Sequence, residues 1–192
     1  MSSREIILSS IRSHLAASPP DDQPNPVLPP SVAAPAPASL VDLFKENVEA
    51  VNGHCIVTRD VSQAVTRITT NLGAKKIATS DAPPSAKEIF EFDVGITSAQ
   101  AAIADTGTLV LDFAHERHRL TSLVPPVHIA IVNASSIFQT LAEALAFIYQ
   151  NGNISHAVTF ITGPSRTADI ELTLAIGVHG PQELYVIVND GS

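Results

Sequence analysis

Apolar positions recur at helical spacing near the start of the chain and give way to short continuous apolar runs further on. Ile7, Leu8, Ile11 and Leu15 predict an amphipathic helix over 1–17. Ser39 can cap a helix that puts Leu40, Leu43, Phe44 and Val48 on one face. Asp60 can cap another, carrying Val61, Val65, Ile68 and Leu72 and stopping at Gly73. Ile137, Leu141, Leu145 and Ile148 predict a helix over 136–149, and 99–104 reads as a helical turn. Pro83-Pro84 breaks the chain before a short helical stretch ending near Glu91. Apolar and β-branched runs predict strands at 54–58, 76–79, 94–97, 108–111, 127–132, 158–162 and 184–188. Strands alternate with helices in the first half, and continuous apolar strands dominate the second. The expected fold is α/β, a mainly parallel sheet flanked by helices. Ligands of such sheets bind beyond the carboxyl ends of the strands.

Proline sets the domain boundary. Eight of the 14 prolines fall within 18–38. Without the N–H and with φ fixed, this stretch reads as an extended, semi-rigid linker. The organisation is therefore an N-terminal helix (1–17), a Pro-rich linker (18–38) and one α/β domain (39–192). A net charge of −8 argues against a general nucleic-acid or anionic-membrane binder. The single cysteine, Cys55, excludes a disulfide framework or a four-Cys metal or iron–sulfur site within this chain. Its neighbours Ile56 and Val57 make it read as a small buried hydrophobe. No apolar stretch is long enough to span a bilayer, and no secretory leader is recognisable, so the expected location is cytoplasmic without membrane insertion.

Polar chemistry concentrates in two clusters. The first is Gly163-Pro164-Ser165-Arg166-Thr167-Ala168-Asp169-Ile170-Glu171, with Gly177-Val178-His179-Gly180-Pro181 soon after. Hydroxyls, a guanidinium and several backbone N–H groups within one turn suit a phosphate or carboxylate. The same residues would equally serve to cap a helical turn, with Asp169 or Glu171 near its positive end, and spacing alone does not choose. The second cluster runs from Gly95 to Leu109, with Thr97, Ser98, Asp105, Thr106, Gly107 and Thr108. It is neither a phosphate-binding Gly-Lys-Ser/Thr loop nor a dinucleotide fingerprint. Close packing of small residues is the plainer reading. His115 and His118 lack a third ligand at metal-site spacing, so no metal is expected. Arg119 could supply a second positive group, and His128 at the head of an apolar strand reads as a satisfied core histidine. His179 has the best acid–base case among the histidines because glycine turns flank it on both sides. No Ser/His/Asp triad can be assigned.

At these residues the chain resembles the LUD-domain family, in its lactate utilisation protein C branch. The matching segments are Gly95-Ile96-Thr97, Ala104 to Leu109, Arg119-Leu120, Pro126 to Ile129, Gly163 to Glu171 and Gly177 to Pro181. Asp105 stands where the family typically has Glu, and Ser98 where it often has Gly. The resemblance implies a fold similar to the group containing ribose-5-phosphate isomerase, CoA transferases and 5-formyltetrahydrofolate cyclo-ligase. It also implies a role with two partner proteins in oxidising L-lactate to pyruvate, the iron–sulfur clusters belonging to the partners and no cofactor to this chain. The leading expectation is a non-redox subunit binding an anionic small molecule. Gly163, Ser165, Arg166 and Thr167 would hold the anion. Thr97, Asp105, Thr106, Gly107 and Thr108 would face it, with Arg119 and His179 nearby. Asp105, Asp169, Glu171 and His179 are the acid–base candidates. The alternative is a standalone enzyme acting on a phosphorylated metabolite, a CoA ester or a folate, which rests on fold analogy. Homo-oligomerisation is left open.

Overall fold

A computed structural model describes residues 3–17, 39–80, 82, 84–112, 119–150, 157–168, 174–176 and 180–191. The chain divides into two units, Met1–Ala34 and Pro35–Ser192. The first contains α1 (Ser3–Ala17), whose Ile6, Ile7, Leu8 and Ile11 are all exposed.

The second unit begins with α2 (Leu40–Ala50), capped by Ser39, whose Oγ accepts from the Asp42 N–H at 3.2 Å. Then come β1 (His54–Thr58) and α3 (Val61–Asn71), the latter capped by Asp60 Oδ1 on the Gln63 N–H at 2.8 Å. β2 (Ile77–Thr79), β3 (Val94–Ser98), β4 (Ala101–Ile103) and β5 (Thr108–Asp112) follow. The short helix α4 (Leu120–Leu123) leads into β6 (Val127–Asn133). The remaining elements are β7 (Ile137–Phe138), α5 (Leu141–Gln150), β8 (Val158–Ile161), β9 (Arg166–Ala168), β10 (Leu174–Ile176) and β11 (Glu183–Asn189).

The central sheet has the order β1-β11-β6-β3-β2 and is parallel throughout. Parallel strands need crossovers, and α3 carries the chain from β1 at one edge to β2 at the other. One face packs Val94, Ile129 and Ile187 under Ala64 and Ile68 of α3. The other packs Ala130, Val132, Val186 and Val188 against Phe44 and Val48 of α2 and against a second sheet. This four-stranded sheet, order β7-β4-β5-β8, is mostly antiparallel, and α5 closes its outer face through Ala144 and Ile148. β9 and β10 form a separate hairpin.

The α/β class and the mainly parallel central sheet match the sequence pattern, whereas the second sheet departs from it. Residues 99–104 are not a helical turn. Ala101 and Ala102 are fully buried in β4, and only the following residues, Ala104–Thr106, turn as a 3₁₀ helix. Alanine favours helices, but these alanines lie in the cores on either side of the second sheet, and that packing overrides propensity. The helix expected over 136–149 starts at Leu141, because Ile137–Phe138 pairs with β4. A capping box marks the true start: Thr140 N–H donates to Glu143 Oε2 (3.0 Å) and Glu143 N–H to Thr140 Oγ1 (3.3 Å).

Candidate functional site

The two polar clusters meet at the last turn of α2. Thr106 and Thr108 hydroxyls are 2.7 Å apart, and Thr108 is also 2.7 Å from the Thr162 hydroxyl, just ahead of Gly163. Thr108 is buried, while Thr106 and Thr162 are exposed at either end of the row. Gly107 and Gly163 adopt φ of 63° and 76°, a left-handed region that favours glycine. Each also admits the backbone of α2's end. A Cβ on Gly107 would sit 2.5 Å from the Val48 nitrogen, and one on Gly163 would sit 2.8 Å from the Val51 oxygen. Asn47 Nδ2 donates to Ala104 O at 2.8 Å and fixes the same corner.

Arg166 completes the junction. One guanidinium nitrogen donates to the carbonyl of Val51, the C-cap of α2, at 2.8 Å. A cation there opposes the partial negative charge of the helix C-terminus. The arginine is exposed and faces solvent beside the hydroxyl row's own helix turn. The Ser165 N–H donates to Pro181 O at 2.9 Å, and a Cβ on Gly180 would lie 2.9 Å from Ser165 Cβ. Asp105 is exposed, with its N–H donating to Gln139 O at 3.1 Å.

The position in the sheet differs from the sequence expectation. Val51 precedes β1 and Pro181 precedes β11, so the junction lies at the amino edge of the parallel sheet. Gly163 does follow a strand, but that strand is β8 of the second sheet. Its carboxyl end points to the opposite edge of the central sheet from the one where parallel-sheet ligands usually bind.

Thr97 is engaged elsewhere. It is buried in β3, and its hydroxyl lies 2.8 Å from Nε2 of His128 on β6. Nδ1 of His128 and the Thr121 hydroxyl on α4 are buried with no hydrogen-bond partner, so His128 is a half-satisfied core histidine. Burial pushes its pKa down to about 4, keeping the ring neutral near neutrality. Arg119 is exposed at the start of α4, and its carbonyl accepts from the Ser122 hydroxyl at 3.0 Å. Asp169, Glu171 and His179 lie outside the described residues, as does the Thr167 side chain. Thr162, Asn47, Val51 and Thr121 were not singled out by sequence. Only long-range packing gives them their places: Asn47 and Thr121 sit in helices, Val51 caps α2 and Thr162 follows β8.

Cys55 is buried on β1, and burial, then the nearby Glu49 carboxylate, raise its thiol to about 11. The thiolate is the reactive form. A thiol reagent at pH 8 should therefore modify the native protein at least about tenfold more slowly than the urea-unfolded chain. Equal rates would contradict the packing of β1. Among the described residues, no group of three His, Cys, Asp or Glu side chains could hold a metal ion, and no helix is long and apolar enough to cross a membrane.

A parallel sheet backed by a second, largely antiparallel sheet, with two left-handed glycine turns clasping one helix end, defines the architecture. Residues 75–188 match the LUD domain model, and the chain belongs to that family. The chain is similar to Lactate utilization protein C of Bacillus subtilis (strain 168), 36% identical over 138 residues, 62% of this chain and 58% of that protein. The corresponding protein of Geobacillus sp. (strain WCH70) is 39% identical over 103 residues, 51% of this chain and 43% of its own length. The chain thus spans about half the length of the curated relatives it matches. A crystal structure of a DUF162 family protein from Deinococcus radiodurans shares the fold, with a TM-score of 0.59 at 22% identity, covering 78% of this chain and 95% of that one.

Proposed function

We propose that this chain serves L-lactate utilisation as a non-redox component that binds an anionic small molecule at the α2 junction. Relatives named Lactate utilization protein C support the biological role. In this reading two partner proteins carry the iron–sulfur chemistry of lactate oxidation to pyruvate, as the family resemblance implies, and the single buried cysteine of this chain agrees with that division.

The observation that carries the anion site is the convergence of Arg166 and the Thr106–Thr108–Thr162 row on one helix turn. A guanidinium presents five donors in a fixed fork, and only one nitrogen is needed by Val51. The row's two hydrogen bonds use two of its three hydroxyl protons, so the exposed hydroxyl at one end or the other can donate the third to a carboxylate or phosphate oxygen. Calorimetric titration of the full chain with inorganic phosphate and with L-lactate tests this. Arg166→Gln should weaken the bound anion at least about tenfold, the scale of one charged hydrogen bond. Because Arg166 is exposed, the same change should lower stability by only about 1 kcal/mol or less. Unchanged anion affinity in the variant would remove Arg166 from the site.

A further inference from the structure

A hollow of about 630 Å³ opens beside the same turn of α2, lined by Glu49, Asn52, Gly53, His54, Cys55 and Tyr185 among others. Its volume falls within the range of small-molecule sites. His54 and Tyr185 are directly paired across β1 and β11, and their rings stack with centroids 4.7 Å apart and planes at 23°. Tyr185 is held in place because its hydroxyl donates to Glu183 Oε2 at 2.9 Å. β1 is an edge strand of the central sheet, and His54 is exposed. A stack built across neighbouring strands therefore ends in an aromatic face that no further described strand covers.

We propose that this hollow binds the planar ring of a nucleotide-class ligand, which stacks on His54 while its anionic group reaches Arg166. Ring stacking is tolerant of the ring's identity, since every base offers a π-face. Asn52, at φ 66°, and the exposed Glu49 stand at the rim, where an amide and a carboxylate can meet ring N–H groups and exocyclic amines. Arg166 is near enough. It bonds the carbonyl of Val51, three residues before His54, so the two Cα positions along that segment are at most about 11 Å apart. The anionic half rests on the Arg166 site proposed above, whereas the ring half stands on the hollow and the stack.

The test compares AMP, adenosine and inorganic phosphate by calorimetric titration of the full chain. AMP should bind about tenfold more tightly than either fragment. His54→Ala should weaken AMP about tenfold and leave phosphate unchanged, while His54→Phe, which keeps a stacking face, should restore AMP binding. Arg166→Gln should bring AMP down to the adenosine level. AMP binding no more tightly than phosphate, or indifferent to His54→Ala, overturns the ring site and leaves the anion site standing. Adenosine binding as tightly as AMP overturns the link between the ring and Arg166, whereas the Arg166 site itself falls only if inorganic phosphate binds the wild-type chain and Arg166→Gln equally.

Discussion

Replacing Gly95 with alanine should destabilise the protein by about 3 kcal/mol or more, read from urea unfolding. Gly95 lies on β3 beside His128 in the parallel register. An added Cβ would sit 1.9 Å from the backbone oxygen of Thr121, 3.0 Å from its carbonyl carbon and 3.2 Å from Pro125 Cγ. The nearest atom is main chain, so no side-chain rotation relieves the contact, and α4 or β3 must shift. Either movement disturbs the buried Thr97–His128 pair and the packing of α4 over β3. By comparison, a Cβ on Gly73 would meet nothing within 4 Å, although its φ of 63° remains strained for alanine. Gly73→Ala should then cost only about 1 kcal/mol. Equal losses at the two positions would mean that α4 does not lie against β3.

Acid should destabilise the fold through His128. Its folded pKa is about 4 against 6.5 for an exposed imidazole, because burial disfavours the charged ring. Between these values the unfolded chain binds the extra proton and the folded one does not. Stability therefore rises with pH in this window. The contribution is complete above pH 6.5 and is lost as the pH falls towards 4, for a total of about 3 kcal/mol. His128→Gln removes the titrating group while keeping a polar partner for Thr97. Its unfolding free energy should lack that component, even if it is less stable near neutrality. A variant with the wild-type pH slope between 6.5 and 4 would place the responsible group elsewhere. The unpartnered Nδ1 of His128 and the Thr121 hydroxyl make this region sensitive, since neither buried polar atom is compensated by a bond within the protein.

Local chemistry was legible in the sequence where it acts locally. Ser39 and Asp60 cap the helices that follow them, and Gly73 takes a left-handed conformation after α3. The strands of the parallel sheet are apolar runs because they are covered on both faces. What periodicity could not give is the second sheet. β4 and β7 are three and two residues long, too short for alternation to show, and β4 is built of alanine and isoleucine. The polar clusters were visible as compositions, but their meeting was not. Thr108 and Thr162 are 54 positions apart, and Arg166 reaches a carbonyl 115 positions away. The same geometry gives Gly107 and Gly163 a packing reason to be glycine, alongside any role in holding an anion. The choice of sheet edge also escaped the pattern, because β8 resembles the central strands yet belongs to the other sheet.

The most direct measurement is affinity purification of the tagged chain from lactate-grown cells under gentle conditions, with identification of the proteins that come with it. Recovery of two iron–sulfur or oxidoreductase partners, enriched on lactate over glucose, is the expected result for a non-redox component of lactate oxidation. A chain that elutes without partners under both carbon sources, from cells that still grow normally on lactate when it is deleted, would contradict that role.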